Sequence, residues 1–404
     1  MTSRTRPAGV ALAAFLFAAT TGCTEGNGPP GGAPSPEATS GRPGSAPPAE
    51  PSAAPGGASA PAGFTLVASG DVLPHDSIIR RAAEDSGGSG YDFTPMFSGV
   101  KAVVSRADLA ICHMETVYGP DGGPYIGYPA FTSPPEIAAA LKATGYDSCS
   151  TASNHTLDDG AAGLGRTLDA LDRAGVRHAG SARTAEEAAT PTLLTAGGAT
   201  VAQLAYTYDT NGYPMPEGQP WAVQKLDERK VIADARAARA AGADVVVVSV
   251  HWGSEWQTEP DERQLTLGRA LTASRSGGRP DIDLILGTHA HVPQAYEKVN
   301  GTWVVYGMGD QIAGDMINHE GAHDPRGNQG SIGRFTFGPP RSPGGRWEVV
   351  KAEFVPQWFD TGRGRVVNLG ADDGSDPRHI EIRDAIRRVV LSRGAAEDGL
   401  VMGE

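Results

Sequence analysis

The chain predicts a layered α/β fold. Three observations carry that reading. Short continuous apolar runs recur along the chain, as in strands covered on both faces. Helix-like segments alternate with them and stop at glycine. Most of the runs end in a polar side chain able to bind a metal, and in α/β folds ligands sit beyond the carboxyl ends of the strands.

Taken in order, residues 64–68 form the first run and end at Gly70-Asp71. Residues 109–112 lead into His113-Met114-Glu115, and residues 146–151 into Asn154-His155. Residues 201–206 are a fourth run. Residues 245–250 are β-branched and end at His251-Trp252-Gly253. Residues 284–286 lead into Gly287-Thr288-His289-Ala290-His291, and residues 303–306 into Gly307-Met308-Gly309-Asp310. Helices are expected between them. Segment 134–144 opens on proline and stops at Gly145, segment 164–174 stops at Gly175, and segment 226–241 stops at Gly242. Segment 260–274 is followed by Gly277-Gly278. Past about residue 338 the periodicity weakens. One strand over 347–355 and one helix over 380–392 are expected there, with residues 394–404 loose. No internal repeat is visible.

The 404 residues are 39% apolar and 20% charged, enough for a packed core. A net charge of −13 argues against a basic face and so against nucleic acid as a partner. Arg4 and Arg6 precede an apolar stretch over residues 10–19, too short to span a bilayer. It runs into Thr20-Thr21-Gly22-Cys23, which resembles a bacterial lipobox with Thr20 where Leu is usual. The expected organisation is a signal peptide over 1–22 and a disordered tether rich in Pro, Gly and Ala over 23–62. A globular domain follows over 63–340, with 341–404 as its C-terminal extension. Lipid on Cys23 would make this an extracytoplasmic protein held to the membrane without a spanning helix; a secreted protein is the alternative. Cys112 and Cys149 read as small buried packing residues, and a disulfide between them is the alternative that export permits.

The polar residues at the run ends form a ligand inventory for two divalent metal ions. Asp71, behind a glycine, can reach a metal with little backbone in the way. Glu115 lies just past a strand end with no helix pattern after it, and so reads as a bridging ligand. His113, on the same side of an extended chain, reads as a substrate contact or a residue behind the ligands. Asn154 offers an amide oxygen, and His155 suits general acid work on a leaving group. Asp158 and Asp159 read as helix-start acids. His251, after a buried strand, reads as a ligand that Glu255 would orient. Trp252 and Trp256 read as cleft wall or core. His289 and His291, on a short turn after a glycine, can address two adjacent ions. His75 reads as a further ligand, a substrate contact or a surface residue. Two such ions would lower the pKa of bound water and clamp an oxyanion. Imidazole with carboxylate suits Mn, Fe or Zn better than Ca.

In this order the segments resemble the CapA family, poly-γ-glutamate capsule biosynthesis proteins with a calcineurin-like metallophosphatase fold, which implies a layered β-sandwich flanked by helices. The resemblance spans about residues 64–311. Gly70-Asp71 looks like the first motif, and residues 108–115 look like the Asp…Asn-x-Glu segment, with His113 where Asn is usual. Residues 153–158, 251–255 and 287–294 are close matches. Residues 306–310 are similar to the family's Tyr-Ser-Leu-Gly-Asn, with Asp310 for Asn. The resemblance implies that Asp71, Glu115 and His291 hold one ion and that Glu115, Asn154, His251 and His289 hold the other. It places His155 over the substrate and Asp310 near it or behind the ligands. An Asp-x-His first motif is absent, since residue 73 is Leu and His75 is displaced, so the first ion is expected to be differently ligated. The implied role is making, anchoring or exporting an anionic polymer, poly-γ-glutamate, beside capsule-synthesis membrane proteins. A hydrolase or epimerase acting on a phosphoester or peptide, and a non-catalytic capsule scaffold, are the other readings.

Overall fold

The structure is a computed structural model and describes residues 63–342 and 345–404. The expected export segment, Cys23 and the expected tether lie outside the described residues. The chain begins with β1 (Phe64–Leu73), α1 (Asp76–Asp85), α2 (Lys101–Ser105) and β2 (Leu109–Met114). Then come α3 (Ile137–Thr144), β3 (Ser148–Ser150), α4 (Gly160–Ala174), β4 (Arg177–Ala179) and α5 (Ala185–Ala189). The middle holds β5 (Thr192–Ala196), β6 (Ala199–Thr207), α6 (Glu228–Ala240), β7 (Val245–His251) and α7 (Glu262–Ala273). A small hairpin of β8 (Arg275–Ser276) and β9 (Arg279–Pro280) precedes β10 (Leu284–Thr288), β11 (Tyr296–Val299), β12 (Thr302–Val305) and β13 (Asp310–Ala313). The chain closes with β14 (Gln329–Gly338), β15 (Glu348–Asp360), β16 (Arg365–Asn368), α8 (Pro377–Val390) and β17 (Leu400–Met402).

Two sheets result. One runs β16-β15-β14-β1-β2-β3-β4, with β13 against β1 and β17 against β15; the other runs β11-β12-β10-β7-β6-β5. Side chains alternate across each strand, so one strand feeds two cores. Leu66 and Ala68 of β1 face Val245 and Val247 of β7 and Leu284 and Leu286 of β10 in the core between the sheets. Val67 and Val72 turn the other way, onto Ile78, Ala82, Ile137 and Leu141 of the helices. Val246, Val248 and Val250 pack outward against Val231, Ala235 and Leu271 of α6 and α7. At about 1.5–3 kcal/mol for each large apolar side chain buried, these layers dominate the folding energy. The expected sandwich with helices on both outer faces is therefore the observed one.

The helix stops are where glycine put them. Gly145 and Gly175 take left-handed conformations, φ 117° and 73°, behind α3 and α4. Two expectations fail. Residues 394–404 are not loose: Ala395 and Leu400 are buried, and β17 pairs in parallel with β15. Cys112 and Cys149 are not separate packing residues either. They face each other in register on β2 and β3 and form a disulfide.

Candidate metal centre

The parallel pairing of β1 with β2 sets Asp71 opposite His113, and that of β7 with β10 sets His251 opposite Thr288. Parallel pairing of β1 with β13 sets Asp71 opposite Asp310. The strand ends of both sheets thus deliver their polar residues to one place. Gly70 permits the convergence, because a Cβ there would overlap the Gly309 carbonyl, while Asp71 N–H donates to that same carbonyl at 3.0 Å. His289 and His291 sit at φ 92° and 56° on the turn after β10. Non-glycine residues in this region are strained, which fits a turn shaped for its side chains rather than for backbone comfort.

The expected ligands come together and are buried. Four overlapping groups bring their ligand atoms within 4.8 Å of one another: Asp71–Glu115–His291, Glu115–His251–His289, Asp71–His113–His251 and Glu255–His289–His291. His251 Nε2 lies 3.7 Å from Glu115 Oε1 and 2.9 Å from Asn154 Oδ1. His291 Nε2 lies 3.9 Å from Glu115 Oε1. Other groups hold the ligands from behind. His291 Nδ1 donates to Asp310 Oδ1 at 2.9 Å, His251 Nδ1 lies 3.0 Å from Thr288 Oγ1, and His289 N–H donates to Asp71 Oδ2 at 3.1 Å.

What the cluster lacks is partners for its buried polar atoms. Both Glu115 oxygens, Asp71 Oδ1, Asp310 Oδ2, His113 Nε2 and His289 Nδ1 are buried without a hydrogen-bond partner. Burial, with Asp71 alongside, pushes Glu115 well above the usual carboxylate range. Burial also pushes Asp310 up to about 7. It lowers His113 to about 4 and holds His251 and His289 well below the usual imidazole range. At His291 burial also opposes the charge, but Asp310 and Glu115 outweigh it and hold the ring protonated well above the usual range. Buried unpaired lone pairs cost several kcal/mol each, and a cation relieves several at once. The donor set of carboxylate and neutral imidazole fits a divalent cation.

The remaining predicted residues fall into place around this centre, some differently from expectation. Glu255 does not stand behind His251. It groups with His289 and His291, and Thr288 has the orienting position. His75 stays out of the ligand groups: its Nδ1 lies 3.1 Å from the Leu73 carbonyl and accepts from Gly314 N–H at 3.2 Å. His113 lies inside the cluster rather than at its edge. Trp252 is core, with Nε1 donating to the Tyr306 carbonyl at 2.9 Å, and Trp256 stands 6.2 Å from the His291 ring.

Asp158 overturns its reading as a helix-start acid. Its Oδ2 accepts from His155 Nδ1 at 2.6 Å and from Phe131 N–H at 2.7 Å, which leaves His155 Nε2 free for a reacting group. The spacing of a histidine three residues before an acid carried that signal. Phe131 also packs edge-on against His155, at 4.8 Å between ring centres. Nothing in the sequence near Phe131 pointed to the site. The same holds for Tyr208, whose ring lies 4.5 Å from that of His289, and for Asn211, whose Oδ1 accepts from Asn154 Nδ2 at 3.2 Å. A cavity of about 880 Å³ lies elsewhere, around His178, Arg183 and Gln203, and shares no residue with the cluster.

Known proteins are similar to this chain. The chain is 28% identical over 180 residues to the capsule biosynthesis protein CapA of Bacillus anthracis, covering 44% of this chain and 42% of that one. It is 28% identical over 179 residues to the PGA biosynthesis protein CapA of Bacillus subtilis (strain 168), covering 44% and 45%. The matched segments thus span a little under half the length of these relatives. Among solved structures, the calcineurin-like phosphoesterase YfkN of Bacillus subtilis is similar at 12% identity and a TM-score of 0.41. That match covers 82% of this chain and 98% of the other. The 5'-nucleotidase precursor of Thermus thermophilus is similar at 17% identity and a TM-score of 0.43, covering 82% and 59%. Residues 65–315, a span containing every residue of the cluster, match the family described as bacterial capsule synthesis protein PGA_cap, and the chain belongs to that family.

Proposed function

We propose that this protein is an extracytoplasmic accessory of poly-γ-glutamate capsule synthesis, export or anchoring, with a dinuclear metal centre that acts hydrolytically. The carrying observation is the buried cluster of unpaired carboxylate and imidazole lone pairs within the segment that matches the capsule family. Asp71, Glu115 and His291 would hold one ion, and Glu115, Asn154, His251 and His289 would hold the other. Transition-metal ions of the Mn, Fe or Zn class would suit these ligands. When bound, such ions lower the pKa of water and stabilise negative charge developing on an oxyanion.

The chain's own residues do the rest. Asp158 fixes the His155 ring through Nδ1, so Nε2 is the atom that holds or delivers a proton at a leaving group. Asp310 keeps His291 turned through its Nδ1. Phe131 packs edge-on against His155, and Trp256 stands beside His291. The bond hydrolysed is a phosphoester or an amide. The acidic surface repels a polyanion, so contact with the polymer is local and made through the metals. Capsule-synthesis membrane proteins are the expected neighbours. The export segment and Cys23 support a place outside the cytoplasm with a lipid anchor; no helix among the described residues is long and apolar enough to cross a membrane.

The test is the metal content of the piece covering residues 63–404, beside a His289→Ala/His291→Ala variant. About two transition-metal ions per chain, lost in the variant, support the reading. No metal after metal-replete purification overturns it.

A further inference from the structure

We infer that His113 is itself a metal ligand, coordinating through Nε2 the ion that Asp71 holds. The inference rests on the dinuclear reading above and adds an imidazole that this reading does not contain.

The geometry is specific. Asp71 and His113 are register partners at the ends of β1 and β2, so both side chains leave adjacent strands at one level. His113 Nε2 lies 3.8 Å from Asp71 Oδ1, too long for a hydrogen bond and suited to two ligands of one intervening ion. Both atoms are buried and neither has a hydrogen-bond partner. With His251 they form one of the groups whose ligand atoms lie within 4.8 Å of one another. The His113 ring stacks on that of His251 at 4.7 Å between centres, so it cannot swing away without breaking the layer.

The other nitrogen fixes the tautomer. His113 Nδ1 lies 2.7 Å from Ser150 Oγ, and the Ser150 hydroxyl has its own acceptor in the Cys112 carbonyl at 3.4 Å. Ser150 then accepts from Nδ1–H, and the lone pair of Nε2 points at Asp71. An imidazole anchored through one nitrogen and unpartnered at the other is the usual form of a metal-binding histidine. The anchor is firm, because Ser150 is the register partner of His113 and the preceding pair, Cys112 and Cys149, is cross-linked. Position 73, two residues past Asp71, is a buried leucine packed with Phe131 and Ala313 and supplies nothing to the ion.

The experiment is a Co²⁺ titration of metal-free protein followed by visible absorption and calorimetry, in wild type, His113→Gln and Ser150→Ala. Melting temperatures in chelator show that each variant is folded. The expected result is two Co²⁺ sites in wild type. One is weakened at least about tenfold in His113→Gln, with altered ligand-field bands, and weakened less in Ser150→Ala. Wild-type affinities and bands in His113→Gln overturn the inference while leaving the dinuclear centre standing. Wild type that takes up no Co²⁺ overturns the dinuclear reading and the inference with it. Should His113→Gln fail to fold, the ring ¹⁵N shifts of Zn²⁺-loaded wild type decide. A metal-bound Nε2 with a protonated Nδ1 at His113 supports the inference, and a shift unchanged from the metal-free protein refutes it.

Discussion

Glu115→Gln should stabilise the metal-free protein and destroy its response to metal. Both Glu115 oxygens are buried without partners, and Asp71 lies in the same group of ligand atoms. Without a cation that position holds either an unpaired charge or a proton taken up at a free-energy cost. The glutamine amide has the same shape, no charge and two donors, which can serve Asp71 or a neutral imidazole. Relieving an unsatisfied buried group is worth about 1–3 kcal/mol. For a unit of this length, unfolding entropy of about 2.1 cal/mol/K per residue gives roughly 0.7 kcal/mol/K, so the gain is about 1–4 °C in melting temperature. The metal response has the opposite sign. At a free-ion concentration about a thousand times Kd, each bound ion stabilises wild type by about 4 kcal/mol, or roughly 6 °C. The variant, lacking the shared ligand, should show little of this. The pH dependence follows from the raised pKa. Between the ordinary carboxylate range and its raised value, Glu115 binds a proton in the folded state and releases it on unfolding. Chelated wild type therefore loses stability as pH rises through that window, and the variant has a flatter profile. The assay is thermal unfolding of both proteins in chelator and in Mn²⁺ or Zn²⁺ across pH. A variant less stable than wild type in chelator would refute this reasoning.

Other predictions read different parts of the molecule. His155→Ala should cut turnover of a phosphodiester probe by about 10²–10⁴ with metal content unchanged; Asp158→Asn should cut it less and alter its pH profile, and lost metal in either would count against the assignment. Arg365 grips Asp85 through two contacts of 2.7 and 3.1 Å, joining β16 to α1. Burial alone would raise Asp85, but Arg365 and Arg81 outweigh it and hold it below the usual range. This stability is present above the unfolded pKa and is lost as pH falls through the folded one, so Arg365→Met should cost about 1 kcal/mol at neutral pH and less in acid, measured by urea unfolding. Reducing the Cys112–Cys149 bridge, which closes a separation of 37 residues, should cost about 4 kcal/mol in unfolding under reductant.

The fold was legible where local signals agreed. Residues 245–250 carry β-branched apolar side chains on both faces, and both faces are covered, by the inter-sheet core on one side and by α6 and α7 on the other. The Gly-stopped helices were equally clear. The long strand β14 was not, because Gly330 and Gly333 interrupt its apolar pattern. Gly330 is glycine for contact reasons, as a Cβ would crowd the Asp310 carbonyl and the Gln357 amide. The site was legible as a set of residue types at strand ends. Its supporting shell was not. Ser150 and Thr288 look like any strand hydroxyl until the register sets them against His113 and His251. Asp158 followed the expected logic of an acid before a helix, and its local contact with His155 and distant one with Phe131 N–H overrode it.

If the proposed centre binds an anion, the charge pattern ties that binding to the metal. The chain is acidic overall, and among the described residues no lysine or arginine pairs with Asp71, Glu115 or Asp310; their ion-pair partners are histidines. Burial holds His113, His251 and His289 neutral, so without ions His291 is the imidazole there that its carboxylate neighbours hold charged. That charge is spent on Asp310 and Glu115, so an incoming anion would find no unpaired cation in this low-dielectric setting. The two divalent ions proposed above would supply one. Chelation should therefore abolish anion binding itself and not merely turnover, and added salt should weaken binding only modestly, because the contact is short and buried rather than a diffuse basic patch. Binding of poly-γ-glutamate that survives full chelation would place polymer recognition on another surface and separate it from this centre.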